Sequence, residues 1–234
     1  LARSTDGITW SAPTAMPLPE PTAVRYLNGK FYFANNAGDL ASSPDAITWT
    51  PLVTGGTAEL IDLAYANGRY VAVGDAGRII TSDNGTDWVT RTTPSAVNLG
   101  SVAFANGVWI AAGDNNNNLF HSTDNGVTWT QPTISLTSQQ LNGIATDGTT
   151  NIVAVANGGV ILRATDGANW ATQSSGTSAT LTDVTFSTIS GSGSYYAVGT
   201  SGTILTSPTG ATWTPGSTGT TSALQYVAEV GGSL

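Results

Sequence analysis

The chain has no cysteine, a single histidine and few charges, with 9% of its 234 residues being Asp, Glu, Lys or Arg against about a quarter in an average globular protein. Without cysteine there is no disulfide, zinc–thiolate site or cysteine nucleophile. Seven scattered cations against fifteen carboxylates leave a formal net charge of −8. That is too little positive charge to neutralise a run of phosphates, which excludes nucleic acid as a partner. No stretch approaches the ~18 consecutive apolar residues of a membrane-crossing helix, so membrane insertion is excluded as well. Leu, Glu, Lys and Arg are sparse and no segment sustains i, i+3, i+4, i+7 apolar spacing, so helix is expected to be nearly absent. Hydrophobic residues still make up 40% and are spread along the whole length, which reads as a packed core rather than disorder.

Glycine is abundant (28 residues), as are Thr, Ser and Asn, and short apolar runs such as residues 68–74 (Gly-Arg-Tyr-Val-Ala-Val-Gly) are bounded by Asn-Gly, Asp-Gly and Gly-Gly turn signals. One period organises these runs. Six tryptophans, Trp10, Trp49, Trp88, Trp129, Trp170 and Trp213, are spaced by 39, 39, 41, 41 and 43 residues. A similar turn precedes each one, most completely at residues 122–129, Ser-Thr-Asp-Asn-Gly-Val-Thr-Trp. Eleven or twelve residues after each of the last five tryptophans a leucine opens an apolar run, at Leu60, Leu99, Leu141, Leu181 and Leu224, and Pro21 holds that place after Trp10.

The sequence Ser-x-Asp-x-Gly-x-Thr-Trp resembles the Asp-box, or bacterial neuraminidase repeat. The longer unit is similar to the propeller repeats of photosystem II assembly and stability factors. That unit is Leu-x-x-Val-Ala-Phe, Asn-Gly-x-Tyr/Trp-Val-Ala-Val-Gly, Gly-x-Ile-x-x-Ser and then the box. A period of about 40 residues holding four short runs is itself the mark of a propeller blade. The expected fold is an all-β, six-bladed propeller of four-stranded antiparallel blades, with strands at 60–66, 69–74, 78–82 and 87–92 in the unit that opens at Leu60. Asp6, Asp45, Asp83, Asp124 and Asp166 are read as structural, each carboxylate accepting N–H groups of its own turn. Trp10, Trp49, Trp88, Trp129, Trp170 and Trp213 are read as wedges between blades. The box departs from its pattern at Thr209, where the aspartate is lost. Trp109 aligns with Tyr70 and Phe31 and is expected in the core.

Residues 1–234 are expected to be one domain with five full blades over about 21–220. Residues 1–20 and 221–234 then share the closing blade, of three strands or of four. An abrupt start within a strand reads as a fragment or a matured domain, either a monomer or part of a larger chain.

Propellers bind at a channel mouth, away from the end that holds the boxes by this assignment. The third place of each innermost-strand run holds Ala23, Asp62, Ser101, Gly143, Asp183 and Tyr226, and Arg25 follows Ala23 by two. Asp62, Asp183, Ser101, Tyr226 and Arg25 are therefore the candidate ligand-binding set, against the favoured bland reading of both aspartates as capping strand starts or bonded to loop N–H groups. Asp114, Asn116 and Asn118 supply oxygens at alternating positions, a weak metal signal without the glycine and distal glutamate of an EF-hand. His121 reads as packed or surface. No cofactor is expected.

The favoured function is a non-catalytic interaction module that recognises a protein or a glycan. The alternative is a glycoside hydrolase, which requires two carboxylates flanking the scissile bond. The arginine cluster of a sialidase is missing, since the chain has six arginines in all. For an assembly-factor role, which the repeat resemblance implies, the acidic chain shows no strong basic patch, so it stands as a family name only. Richness in Thr, Ser, Asn and Gly with scarce lysine points to an extracellular or cell-surface bacterial protein.

Overall fold

A computed structural model describes residues 2, 4, 8–11, 18–113, 118–132, 134, 140–189 and 191–228. Among them every regular element is a strand, apart from three single turns of 3-10 helix. The first sheet comprises β1 (Pro21–Leu27), β2 (Lys30–Asn35), β3 (Leu40–Ser43) and β4 (Thr50–Leu52). The second comprises β5 (Leu60–Ala66), β6 (Arg69–Gly74), β7 (Ile79–Ser82) and β8 (Val89–Arg91). The third has β9 (Leu99–Ala105), β10 (Val108–Gly113) and β11 (Leu119–Ser122). The fourth holds β12 (Leu141–Thr146), β13 (Ile152–Ala156), β14 (Ile161–Ala164) and β15 (Ala171–Gln173). The fifth holds β16 (Leu181–Ser187), β17 (Ser194–Gly199), β18 (Ile204–Ser207) and β19 (Thr214–Pro215). Each sheet is antiparallel, its strands side by side in chain order. The two inner strands of the Leu60 unit start and end where the sequence places them, and the two outer ones are shorter by one to three residues.

Local sequence explains the hairpins. Asn67-Gly68 has φ of 49° and 74°, and Asn106-Gly107 has 49° and 80°. Two left-handed residues in succession make the tight turn whose twist matches paired strands, and Asn-Gly is the pair that adopts it most readily. Between the sheets the faces are apolar. Tyr32, Leu40, Tyr70 and Ile80 fill the first seam, and Val71, Ile79, Trp109 and Phe120 the second. Ile110, Leu119 and Ile152 fill the third, and Val153, Ile161, Leu181 and Tyr195 the fourth. Trp88, Trp129, Trp170 and Trp213 pack into these four seams in turn. Successive sheets also touch through their first strands. Four-stranded antiparallel blades of this kind, buried on both faces, form a β-propeller.

Five sheets are formed among the described residues, the third with three strands, and the expected closing blade falls in part on residues outside them. Neither residues 2, 4, 8–11 and 18–20 nor residues 221–228 contain a strand. Trp10, expected as a wedge, is 61% exposed, whereas Trp129 is 4% exposed. On the first sheet Val24 is 43% exposed where its counterparts Leu63, Val102, Ile144 and Val184 are at most 8%. Trp49 is half-buried, edge-on to Phe33 with ring centroids 5.8 Å apart.

The backbone feature that positions the candidate site is a bulge. In each sheet the register shifts by one residue near the start of the first strand, between Pro21 and Ala23, Leu60 and Asp62, Leu141 and Gly143, and Leu181 and Asp183, and opposite Ala112 and Gly113 in the third. The unpaired second residue is thereby turned aside. Thr22 and Asn142 reach across to the Leu60 and Leu181 carbonyls of the following sheet. Thr182 Oγ1 donates in the same way to the Leu224 carbonyl, at 2.5 Å.

Candidate functional site

The bulge sets the third residue of each first strand next to the following sheet. Asp62, 7% exposed, uses both carboxylate oxygens there. Its Oδ1 accepts from Arg25 Nη2 at 2.6 Å and from its own Leu63 N–H at 2.9 Å, and its Oδ2 accepts the Val102 N–H of β9 at 3.0 Å. One carboxylate thus ties three successive sheets together. Burial pushes the Asp62 pKa up, and the Arg25 guanidinium and the two N–H groups oppose it.

Asp183 repeats this arrangement without a cation. Its Oδ1 accepts the Val184 N–H and its Oδ2 the Val227 N–H, both at 2.9 Å. Val227 stands in its run where Val102 stands in β9, and Leu224 N–H donates to the Gly199 carbonyl at 3.0 Å. Residues 224–227 therefore lie against β16 as residues 99–102 lie against β5. Burial raises the Asp183 pKa first; the Val227 and Val184 N–H groups lower it, the Asp62 charge raises it and the Arg25 charge lowers it. The two aspartates and the arginine accordingly share one field. A raised native carboxylate pKa means that stability falls as pH climbs from the unfolded value, about 4, through the folded one.

Of the other candidates, Ser101 is half-buried at the equivalent place on β9. Tyr226 is 88% exposed and borders a cavity of about 230 Å3 with Asn142, Thr180, Thr182 and Gln225. Asp114 and Asn116 lie outside the described residues. Asn118 is buried, and its carbonyl accepts the Gly113 N–H at 2.8 Å. Among the described residues no three His, Cys, Asp or Glu side chains gather as metal ligands. His121 stays beside Thr130 Oγ1, and burial lowers its pKa against the pull of Asp166.

The turns before the tryptophans sit at the other end of the strands. Asp124 accepts the Val127 and Thr128 N–H groups, Asp45 those of Ile47 and Thr48, and Asp166 those of Ala168 and Asn169. Burial acts upward on Asp124, but hydrogen bonds from the Thr128 hydroxyl and N–H, from Ser122 and from the Val127 N–H together hold its pKa down at about 2. Asp83 is a correction. The residue that accepts the Thr86 and Asp87 N–H groups is Asn84, four before Trp88 as Asp45 is four before Trp49. Asp83 points outward instead and pairs with Arg69 at 2.8 Å. Thr209 Oγ1 accepts the Ala211 N–H at 3.4 Å in place of the lost carboxylate. Asp6 lies outside the described residues.

Sequence reasoning missed a second recurring contact. Five residues after the box tryptophan, Thr54, Thr93 and Thr218 donate their hydroxyls to the Gly38, Gly77 and Gly202 carbonyls, at 2.8, 2.9 and 2.8 Å. Ser175 holds the same place and Ile134 replaces it in the third unit. The spacing from tryptophan was the available signal.

The family model of the photosystem II assembly factor YCF48 matches residues 41–231. The chain belongs to that family. Among solved structures it is similar to YCF48 from Cyanidioschyzon merolae, at 18% identity and a TM-score of 0.63, over 88% of this chain and 75% of that one. YCF48 bound to D1 peptide aligns at 16% identity and a TM-score of 0.63, covering 85% of this chain and 68% of the other. An ancestral GH74 enzyme aligns at 14% identity and a TM-score of 0.69, covering 86% of this chain and 32% of the enzyme. At such identities these neighbours speak for the fold alone. No curated protein matches the chain by sequence.

Membership of the YCF48 family overturns the extracellular or cell-surface location expected from composition. The abundant Gly, Asn, Ser and Thr have a structural reason instead: they build the hairpins, the tryptophan turns and the loop clasps that each unit repeats. The acidic balance was likewise no ground for setting the assembly-factor resemblance aside.

Proposed function

We propose that this chain is a non-catalytic protein-interaction module of the assembly-factor kind, which holds a peptide of its partner at the end where the first strands begin. The observation that carries this reading is how Asp62 and Asp183 are used. Each carboxylate already accepts backbone N–H groups on both oxygens, and Asp62 an arginine as well. Neither is free to pass a proton to a bound substrate. Around them the same end offers the exposed Tyr226 ring, the Asn142 and Gln225 amides and the threonine-rich loops, groups suited to an extended peptide. The YCF48 structure with a D1 peptide supports the choice of a peptide over a glycan.

The same reading treats residues 1–234 as one six-bladed ring, with 1–20 and 221–234 sharing the sixth blade. Its support is the way residues 224–227 lie against the fifth sheet. The glycoside hydrolase alternative has the GH74 likeness in fold and the shared field of the two aspartates. Neither Asp62 nor Asp183, however, has a carboxylate oxygen free of a backbone partner.

Fluorescence anisotropy with a labelled D1 peptide tests the proposal. Saturable binding, weakened about tenfold in Tyr226→Ala (a loss of about 1.4 kcal/mol), is the expected result. No saturation by the peptide, together with sugar release from a glucan panel that Asp62→Asn and Asp183→Asn abolish, would reverse the choice.

A further inference from the structure

A cavity of about 600 Å3 opens between the loop that joins the first sheet to the second and the loop that joins the second to the third. Its walls are small residues and hydroxyls, among them Gly55, Gly56, Thr57 and Thr93, and Arg78 lies at its base, 8% exposed. A guanidinium carries five N–H donors. Here Nη1 donates to the Gly38 carbonyl at 3.1 Å and to the Ala58 carbonyl, and Nη2 donates to the Thr54 carbonyl at 3.1 Å. Three donors are thereby satisfied. The Nε–H and the second Nη2–H, adjacent on one edge, have no protein acceptor among the described residues and open onto the cavity that Arg78 lines.

Nor does the charge have a counter-ion. The ion pairs among the described residues are Arg25–Asp62 and Arg69–Asp83. Burial pulls the Arg78 pKa down, opposed by the more distant Asp39. A cation this largely buried, without a counter-ion, is an unfavourable arrangement unless something in the cavity completes it. Glycine keeps the face of the guanidinium open: a Cβ at Gly56 would stand 3.3 Å from Nη2 and 3.4 Å from both Cζ and Nε. At the equivalent place the other units have Asp39, Asn118, Val160 and Thr203, so this seam alone carries the cation.

We propose that the cavity over Arg78 binds a carboxylate, taken side-on by the free Nε–Nη2 edge. Two parallel donors in a rigid plane match a carboxylate's two oxygens. Arg91 lines the same cavity and adds a second positive charge, while Asp75 on its wall disfavours a dianion such as phosphate. The carrier of the carboxylate is a partner peptide; that clause rests on the function proposed above, and the pocket itself does not.

The experiment follows the arginine Nε–H resonances by 1H–15N NMR while N-acetyl-diglycine, or its C-terminal amide, is titrated in. The acid shifts the Arg78 resonance saturably and the amide leaves it in place. Arg163, whose Nε is bound to the Thr209 carbonyl at 3.0 Å, stays still with both. Gly56→Ala leaves the arginine and its three carbonyl bonds intact and weakens the acid at least tenfold. An unmoved Arg78 resonance, equal shifts with acid and amide, or a Gly56→Ala variant that binds as before would each overturn the proposal. If acetyl-diglycine binds and the D1 peptide does not, the pocket stands and the partner reading falls.

Discussion

The second and third sheets are consecutive copies of one unit and share a seam, yet they differ at their outer edge. The second has four strands, whereas the third has three and a single bridge between His121 and Thr130. The third nevertheless owns the more complete box. The Trp129 indole N–H donates to the Gly126 carbonyl at 3.1 Å, while Trp88 Nε1 is buried without a partner. A complete box therefore does not secure the strand that follows it. The difference lies further on. The His121–Thr130 pair exchanges both N–H···O bonds, so in an antiparallel ladder the next bonded place is two residues along. In the fifth sheet that place is Gly216, whose N–H donates to the Ile204 carbonyl at 2.9 Å. In the third it is Pro132, which has no N–H to give. Proline one residue earlier, as at Pro51 and Pro215, falls on a non-bonded place and leaves β4 and β19 in being. Ile134 then removes the hydroxyl clasp that Thr93 supplies in the second sheet.

Four substitutions put this comparison at risk. The largest effect belongs to the shared seam. Trp109, fully buried with its indole N–H on Asn125 at 3.0 Å, should cost about 3–5 kcal/mol on Trp109→Ala, read by urea unfolding. A loss below 1 kcal/mol would mean that the third sheet is not held by packing. Next is Pro132→Ser, which gives the third sheet its missing donor. It should stabilise by about 1 kcal/mol and protect the residue-132 amide from hydrogen exchange, and an unprotected amide would refute the proline account. Thr93→Val keeps the shape and removes the clasp, leaving the Gly77 carbonyl without its hydroxyl. A loss of about 1 kcal/mol is expected, or some 2–4 °C in Tm.

The smallest effect is one of pH. The third sheet's turn is braced by Asp124, held at a pKa of about 2, and the second sheet's turn by the neutral Asn84. A depressed carboxylate contributes stability that is complete above its unfolded pKa of about 4 and is lost as pH falls through the folded value. Because the group is almost fully exposed, solvent keeps the contribution small. Between pH 4 and 2 the Val127 and Thr128 amide resonances should titrate with Asp124, and Asp124→Asn should flatten them.

Much of this architecture was legible as spacing. The tryptophan ladder and the Asn-Gly hairpins located both inner strands of the Leu60 unit, because a turn that needs two left-handed residues leaves little choice of sequence. Alignment of the Leu-x-x-Val runs brought Asp62 and Asp183 to equivalent places. That they accept backbone N–H groups was one of the readings the sequence offered; which N–H groups was not legible, since the bulge that hands each carboxylate to the next sheet is a register event. Asp83 misled because its spacing to Trp88 equals that of Asp124 to Trp129, whereas the turn acceptor stands two residues after the serine, Asn84 after Ser82 as Asp124 after Ser122 and Asp45 after Ser43. Arg78 went unnoticed because it departs from the repeat at a single unit, and its partners are carbonyls 20 to 40 residues away.

The central claim is that a peptide partner docks at the end where the first strands begin. Backbone amide shifts mapped by NMR during titration with the D1 peptide test it most directly. The account predicts that the perturbed amides gather at residues 54–59, 75–78, 93–98, 174–182 and 224–227. Perturbations gathered instead at the tryptophan turns, around 45–48, 84–87, 124–128 and 166–169, would contradict it.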